Sequence, residues 1–279
     1  MHAIVNAWTW VVTVLVVLVG FVCVSAVFVV TAPFDPGRYA AGWTFRKIAV
    51  VQVALTRWWR FRTGGVRVAD PRRPYVAVAN HESYADIFLL SHLPFEMKWL
   101  SKDTIFRIPV MGWMMRMAGD VQLRRGDRTS ASDALAACRD RLAKRVSVMI
   151  FPEGTRSRGG ELLPFKDGAF RLAVDTGVPI LPIAIAGTRH AMAKGSFRFQ
   201  RAEARCEVLE PVPTAGLTSS DVPALRDRVR TLIADARHRL ERELGLRPEP
   251  DVPTDEPADE ALPEDAVAAP PAGAPAARG

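Results

Sequence analysis

The sequence predicts an α/β fold, a mixed sheet flanked by helices and preceded by an N-terminal transmembrane helix, and three observations lead there. Short apolar runs of strand length, Val76–Ala79, Val146–Phe151 and Val178–Ala186, alternate with helical patterns. Two of these runs break off into polar stretches, Asn80–Asp86 and Pro152–Gly160, just ahead of a helix, and the ends of strands are where such sheets place their sites. In front of the alternation stand 26 residues, Ala7 to Ala32, without a charge.

That first segment is rich in Val and Leu, carries Trp8 and Trp10 near one end and is closed by Pro33. As a helix it measures roughly 39 Å, more than the ~30 Å of a bilayer's hydrocarbon. Only His2 precedes it, whereas a cleaved signal peptide has a basic start and a shorter apolar stretch. Residues 1–34 are therefore expected to be a membrane anchor. Arg38, Arg46, Lys47, Arg57, Arg60 and Arg62 all follow it, which by the positive-inside rule puts the rest of the chain in the cytoplasm. In the stretch 35–63 these residues interleave with Trp43, Phe45, Ile48, Trp58 and Trp59, and a helix is expected over Gly42–Phe61. Such a helix either lies on the membrane surface or packs on the domain.

The α/β domain is expected over 64–246. Gly64-Gly65 reads as a turn, and Val66–Val68 and Tyr75–Ala79 as strands. The Met-rich stretch Ile105–Ala118 is either ordinary core or an apolar wall for a lipid chain. A short strand then ends in the basic turn Arg124-Arg125-Gly126. Thr129–Arg145 has helix signals, Val146–Phe151 reads as a buried strand, and a helix is expected from near Phe165 to Gly177. Pro179 and Pro182 mark Val178–Ala186 as an edge strand, a strand start or the site of a bulge. Phe197–Phe199 and Arg205–Leu209 look like further strands, and Leu225 to Leu240 an amphipathic helix ending near Leu244. The Pro-, Ala- and acid-rich residues 247–279 cannot bury enough surface to fold and are expected to be disordered.

Apolar residues make up 49% of the 279, ample for a core. Cys23, Cys138 and Cys206 are odd in number and widely spaced, so they indicate reduced thiols and neither a disulfide framework nor a zinc site. The formal charge of +7 conceals −7 from Glu249 onward and +14 on the 248 residues before it. A basic body suits anionic partners: nucleic acid, an anionic membrane or phosphorylated small molecules.

His81 sits where the Val76–Ala79 strand gives way to a helix. Ser83 and Asp86 have the S-x-x-D spacing of a capping box, which starts that helix near Ser83. On one continuous helix His81 and Asp86 would point about 140° apart, but across a bend they can meet. A carboxylate holding one ring nitrogen leaves the other free to take a proton from a hydroxyl. Taken alone, the pair is equally a turn histidine and a capping aspartate. In the second polar stretch Gly154 allows close backbone approach to a ligand, and Arg156 and Arg158 supply charge for an anion.

Together these blocks resemble the glycerolipid acyltransferase family. Asn80–Asp86 matches its N-H-x-x-x-x-D block, Gly119–Arg125 is similar to G-x-x-x-x-x-R, Phe151–Ser157 to F-P-E-G-T-R-S, and Val178–Pro182 to V-P-I-x-P. The resemblance covers about Tyr75 to Ala186 and makes 64–246 an acyltransferase domain. It implies transfer of a fatty acyl group from acyl-CoA or acyl-ACP to the sn-2 hydroxyl of lysophosphatidic acid, with His81 as general base, Asp86 orienting it and no acyl-enzyme. It further implies that Arg125 and Arg156 bind the acceptor phosphate, that Glu153, in one block with Gly154 and Thr155, binds the glycerol part or holds an arginine, and that Pro179 shapes the acyl-donor side; Lys102 is a further candidate phosphate contact. Arg124 stands where many relatives carry an acid, which leaves Arg124 and Arg125 both in play. No metal or redox cofactor is implied, and the expected partners are a lysophospholipid, the acyl donor and a membrane, with no nucleic acid. Another lysolipid acceptor, such as a lyso-ornithine lipid, and a non-enzymatic binder of anionic lipid or nucleic acid are the alternatives.

Overall fold

The computed structural model of the protein describes residues 2–56, 58–157, 162–192 and 198–247. Helices α1 (His2–Thr31) and α2 (Tyr39–Thr56) form a hairpin ahead of strand β1 (Trp59–Gly65). There follow β2 (Val76–Ala79), α3 (Ala85–Leu90), β3 (Met97–Lys102), α4 (Asp103–Phe106), α5 (Met111–Ala118), β4 (Val121–Leu123), α6 (Arg128–Ala143) and β5 (Ser147–Ile150). The chain continues through α7 (Gly168–Thr176), β6 (Ile180–Ala186), a 3-10 turn at Thr188–His190, β7 (Ala202–Val208) and α8 (Val222–Glu243).

The seven strands form one mixed sheet in the order β1-β7-β6-β2-β5-β3-β4. β6, β2, β5, β3 and β4 are mutually parallel, while β7 runs antiparallel to β6 and carries β1 parallel to itself. Five strands thus end on the same edge, the one that holds His81, Phe151 and the Arg124-Arg125 turn. Alternate residues serve opposite layers: Val76, Val78, Val148 and Ile150 pack with α6, α7 and α8, whereas Ala77, Ala79 and Met149 pack with Leu89, Leu90 and Trp99 on the other face. Burial on both faces is why these strands read as continuous apolar runs.

Asn6–Thr31 is, among the described residues, the one helix long and apolar enough to cross a membrane. It packs lengthwise on the domain. Asn6 accepts the Phe199 N–H at 2.9 Å, Thr9 accepts Trp58 Nε1 at 2.8 Å, and Thr13 accepts Gln52 Nε2 at 2.6 Å. Gly20 lets the Ile48 side chain nest against the helix, because a Cβ there would overlap it, and Phe21 meets Trp113 of α5. The opposite face, Val11, Val14, Leu18, Val22 and Val29, is exposed.

Beneath α2 lies a buried ionic cluster. Arg46 is bound to Asp120 and lies 3.8 Å from Glu96, and Lys98 Nζ donates to Glu96 at 3.0 Å and to the Arg38 carbonyl at 2.8 Å. Asp120 also accepts the Trp99 N–H at 3.0 Å. Burial pushes the Glu96 carboxyl up and the Lys98 ammonium down.

Several sequence expectations need correction. The helix expected over Gly42–Phe61 ends at Thr56, and Trp59 to Gly65 form an edge strand on β7, so Gly64-Gly65 is no turn and Val66–Val68 no strand. Arg46 is in the core rather than on a membrane-facing side. Lys98–Asp103, which carried no assignment, contains most of β3. The last strand is Ala202–Val208 rather than Arg205–Leu209; Arg198 and Phe199 are not in a strand, and Phe197 lies outside the described residues. Of the readings open for Pro182, the bulge is the one found. β6 is an interior strand, and its pairing slips by one residue between Ile183↔Val208 and Ile180↔Val212, so the missing Pro182 N–H falls at the slip. The expected tail, apart from Arg247, and Arg57, Arg158, Gly159 and Gly160 lie outside the described residues.

Candidate active site

The bend after β2 is fixed on all sides. Both side-chain amide atoms of Asn80 bond the backbone of Ile185, Nδ2 to its carbonyl at 2.9 Å and Oδ1 to its N–H at 2.7 Å, which extends the β2–β6 pairing by one rung. The His81 N–H donates to Glu153 Oε1 at 2.7 Å, and its carbonyl accepts the Ser157 N–H at 2.9 Å. The two loops that the sequence singles out are therefore bonded to each other.

Across this bend His81 Nδ1 lies 2.7 Å from Asp86 Oδ2. The same oxygen accepts the N–H groups of Glu82 at 2.8 Å and Ser83 at 3.0 Å. Only half of the expected capping box forms. The Asp86 carboxylate does accept the Ser83 N–H, but Ser83 Oγ accepts from Ala85 and donates to the Met192 carbonyl at 2.7 Å, and the helix begins at Ala85. The Asp86 carboxylate is fully buried and the imidazole retains a small exposed edge. Phe151, the residue after β5, stacks on the imidazole with centroids 4.0 Å apart. Nδ1 is thus committed to Asp86, and Nε2 is the ring nitrogen outside that contact.

The Phe151–Gly154 segment is a tight turn with Pro152 at its second position and the Gly154 N–H donating to the Phe151 carbonyl at 3.1 Å. Gly154 has a φ of 71°, which favours glycine. Glu153 uses both oxygens on backbone, Oε1 on His81 and Oε2 on the Leu163 N–H at 3.1 Å. It therefore braces the two loops. Burial pushes it up to about 8, against the pull of those two donors. Arg156 lies over the Tyr84 ring, 3.8 Å from its centroid, and its buried Nη1 has no hydrogen-bond partner among the described residues. Thr155 is half-buried beside it.

Lys102, Arg124 and Arg125 gather on the same sheet edge, since Lys102 pairs with Leu123 where β3 and β4 end. The Arg124 guanidinium is mostly exposed and lies 3.5 Å from Asp127 and 4.0 Å from Asp103, while Arg125 is half-buried. Pro179 is placed otherwise. It precedes β6, and its carbonyl accepts the Val76 N–H at 3.1 Å, so it lies at the opposite edge, roughly 16 Å along the strand from His81. Pro179 shapes the start of a strand rather than the site.

Sequence reasoning missed three neighbours of the dyad. Thr188 donates its hydroxyl to Asp86 Oδ1 and lies 3.3 Å from Glu82 Oε2. Arg237 of α8 donates to Glu82 Oε1 at 3.3 Å. Glu82 is buried, and burial pushes its carboxyl up to about 7 although Arg237 pulls it down. One signal for Arg237 was available: it shares the apolar stripe of Val229, Ile233, Ala236 and Leu240, where a basic residue has to find a buried partner. Between the α1–α2 hairpin, α3 and α5 an apolar recess is lined by Val16, Val17, Ile48, Phe88, Met111 and Met114.

A family model described as Acyltransferase matches residues 60–186. The chain is 34% identical over 216 residues to the human 1-acyl-sn-glycerol-3-phosphate acyltransferase alpha, covering 76% of this chain and 75% of that one. It is 50% identical over 123 residues to a chloroplastic 1-acyl-sn-glycerol-3-phosphate acyltransferase of Brassica napus, covering 44% of this chain but 36% of the relative's length. The crystal structure of the 1-acyl-sn-glycerophosphate (LPA) acyltransferase PlsC from Thermotoga maritima superposes with a TM-score of 0.63 at 27% identity, over 84% of this chain and 98% of that one. With the sequence blocks gathered on one sheet edge, these likenesses establish that the chain belongs to the acyltransferase family that contains the 1-acyl-sn-glycerol-3-phosphate acyltransferases.

Proposed function

We propose that the protein transfers a fatty acyl group from the thioester of acyl-CoA or acyl-ACP to the free sn-2 hydroxyl of lysophosphatidic acid, giving phosphatidic acid. The observation that carries this reading is the 2.7 Å contact between His81 Nδ1 and Asp86 Oδ2, which orients Nε2 as a base. Nε2 removes the hydroxyl proton as the oxygen attacks the thioester carbonyl. The tetrahedral intermediate collapses with cleavage of the C–S bond, and the imidazolium returns the proton to the departing thiolate. Asp86 stabilises the imidazolium, and no acyl-enzyme is needed.

Arg156 binds the acceptor phosphate through the nitrogen that has no partner among the described residues, with Arg125, Lys102 and Arg124 supplying positive charge from the ends of β3 and β4. Gly154 and Thr155 line the same turn. The recess between the hairpin and α5 takes an acyl chain, with Met111 and Met114 as its adaptable wall. The exposed apolar face of α1, extended by Val51 and Leu55 of α2, meets lipid, with the α/β domain on the cytoplasmic side. Because the hairpin is packed against the domain, the fold rather than a linker sets the distance from the site to the bilayer.

The test is a thiol-release assay with one acyl-CoA, with and without lysophosphatidic acid. Thioester consumption that requires the acceptor and disappears in His81→Ala, with folding intact, is the expected result. Substantial turnover in that variant, or consumption indifferent to acceptor, sinks the proposal.

A further inference from the structure

The Asp86 carboxylate has two sides. Oδ2 serves His81 Nδ1 and two backbone N–H groups, while Oδ1 accepts the hydroxyl of Thr188. Thr188 comes from a different part of the chain, the first residue of the 3-10 turn after β6, and is fully buried. The preceding Gly187, with a φ of 94° and a backbone too close to the Glu203 carbonyl to admit a Cβ, turns the chain so that Thr188 reaches α3.

A hydroxyl has one proton to give. Thr188 gives it to Asp86, the nearer acceptor, so its 3.3 Å contact with Glu82 Oε2 becomes a hydrogen bond only when Glu82 is the donor. Burial raises Glu82 to about 7, which makes that protonated form available. The other oxygen of Glu82 is held by Arg237 Nε at 3.3 Å, and Arg237 is fixed by Glu241 Oε1, 2.7 Å from Nη2, with Arg189 3.5 Å from the same oxygen. Glu82 and Arg237 are each nine-tenths or more buried. A continuous chain, Arg237–Glu82–Thr188–Asp86–His81, thus runs from the C-terminal helix to the base.

We propose that Thr188, Glu82 and Arg237 are positioning residues for the dyad: Thr188 fixes the rotation of the Asp86 carboxylate, and Glu82, held by α8 through Arg237, fixes Thr188. The inference rests on the reading of His81 as the base. None of the three touches substrate; they act by keeping Oδ2 on Nδ1.

The experiment uses the full-length protein with lysophosphatidic acid and one acyl-CoA, and measures kcat, both KM values, the pH profile and the melting temperature. Thr188→Val keeps the shape and removes the proton. It is expected to lower kcat about 10- to 100-fold, as loss of an outer hydrogen-bond partner does at ligated histidines, with both KM values within about twofold. The acid limb of its profile should move to higher pH, because a carboxylate relieved of one donor holds the imidazolium more strongly. Thr188→Ser should recover most of kcat. Glu82→Met should fall in the same direction and Glu82→Gln, which can both donate to Thr188 and accept from Arg237, should rescue it. If Thr188→Val does not fold, the contrast between Glu82→Met and Glu82→Gln decides. A folded Thr188→Val, or in its absence a folded Glu82→Met, with wild-type kcat and pH profile overturns the inference while an inactive His81→Ala keeps the base. An active His81→Ala removes the reading on which it rests.

Discussion

The ring of Phe151 lies face to face with the imidazole of His81, centroids 4.0 Å apart and planes 16° apart. Asp86 fixes one nitrogen of the imidazole, and Phe151 fixes the plane in which the ring lies. A stacked pair contributes about 0.5–1.5 kcal/mol beyond its buried area. Phe151→Ala is therefore expected to lower kcat roughly 2- to 10-fold, with Phe151→Tyr close to wild type. Steady-state kinetics at saturating acceptor check this; an unchanged kcat in Phe151→Ala shows that Asp86 alone holds the ring.

Arg156 is held by Tyr84 but keeps one buried nitrogen without a partner among the described residues. A planar fork matches a phosphate, and an ammonium does not reproduce it. Arg156→Lys is expected to raise KM for lysophosphatidic acid about 10-fold or more, at ~1.5–3 kcal/mol for a charge-assisted bond, and to leave KM for the acyl donor unchanged. An acceptor lacking the phosphate, monoacylglycerol, should not distinguish the variant from wild type. Equal losses with both acceptors contradict the phosphate role.

How far the sequence could be read depended on how local each feature is. β2, β5 and β6 are buried on both faces, so their composition alone marks them. His81 and Asp86 lie five residues apart across a bend, and the local pattern contains everything that brings them together. β1 and β3 are different. Trp59 to Gly65 pairs with Ala202 to Val208, about 140 residues away, and nothing between Thr56 and Trp59 announces that a helix has stopped. In β3, Lys98 looks like a surface residue and is in fact neutralised within the core by Glu96. Glu153 has a ligand-like motif around it, yet its oxygens are consumed by two backbone N–H groups. Thr188 carries no signal at all, because its role depends on the turn at Gly187 and on α3 lying beneath it.

The Arg46–Asp120 pair joins the α1–α2 hairpin to the start of the strand that leads into Arg124 and Arg125. Removing one member of a buried pair leaves an uncompensated charge, at a cost of about 3–5 kcal/mol. Arg46→Met is expected to lower the melting temperature by about 10 °C, taking ~2–4 °C per kcal/mol for a domain of this size. The double variant with Asp120→Asn should recover part of the loss. Thermal unfolding of both measures it, and a single variant that melts with the wild type shows that Lys98, the other cation of the cluster, compensates Asp120.

Glu82 and Glu153 set the direction in which stability changes with pH. Burial raises their carboxyls from 4.5 to about 7 and about 8. Between the lower and upper values the folded state binds more protons than the unfolded chain, so stability falls as pH rises. Below about pH 4.5 the contribution of both groups is fully present; by about pH 8 it is lost. Asp140 acts in the opposite sense at the acid end, since its hydrogen bond with Lys144 holds it below the usual carboxylate range. The melting temperature is therefore expected to be highest near pH 5 and to decline toward pH 8. Glu82→Gln fixes the neutral form and should remove Glu82's share of that decline, which falls between about pH 4.5 and 7, leaving the share due to Glu153 from about pH 4.5 to 8. A melting temperature that rises from pH 5 to pH 8 in the wild type, or the same slope in Glu82→Gln, shows that Arg237 keeps Glu82 ionised throughout.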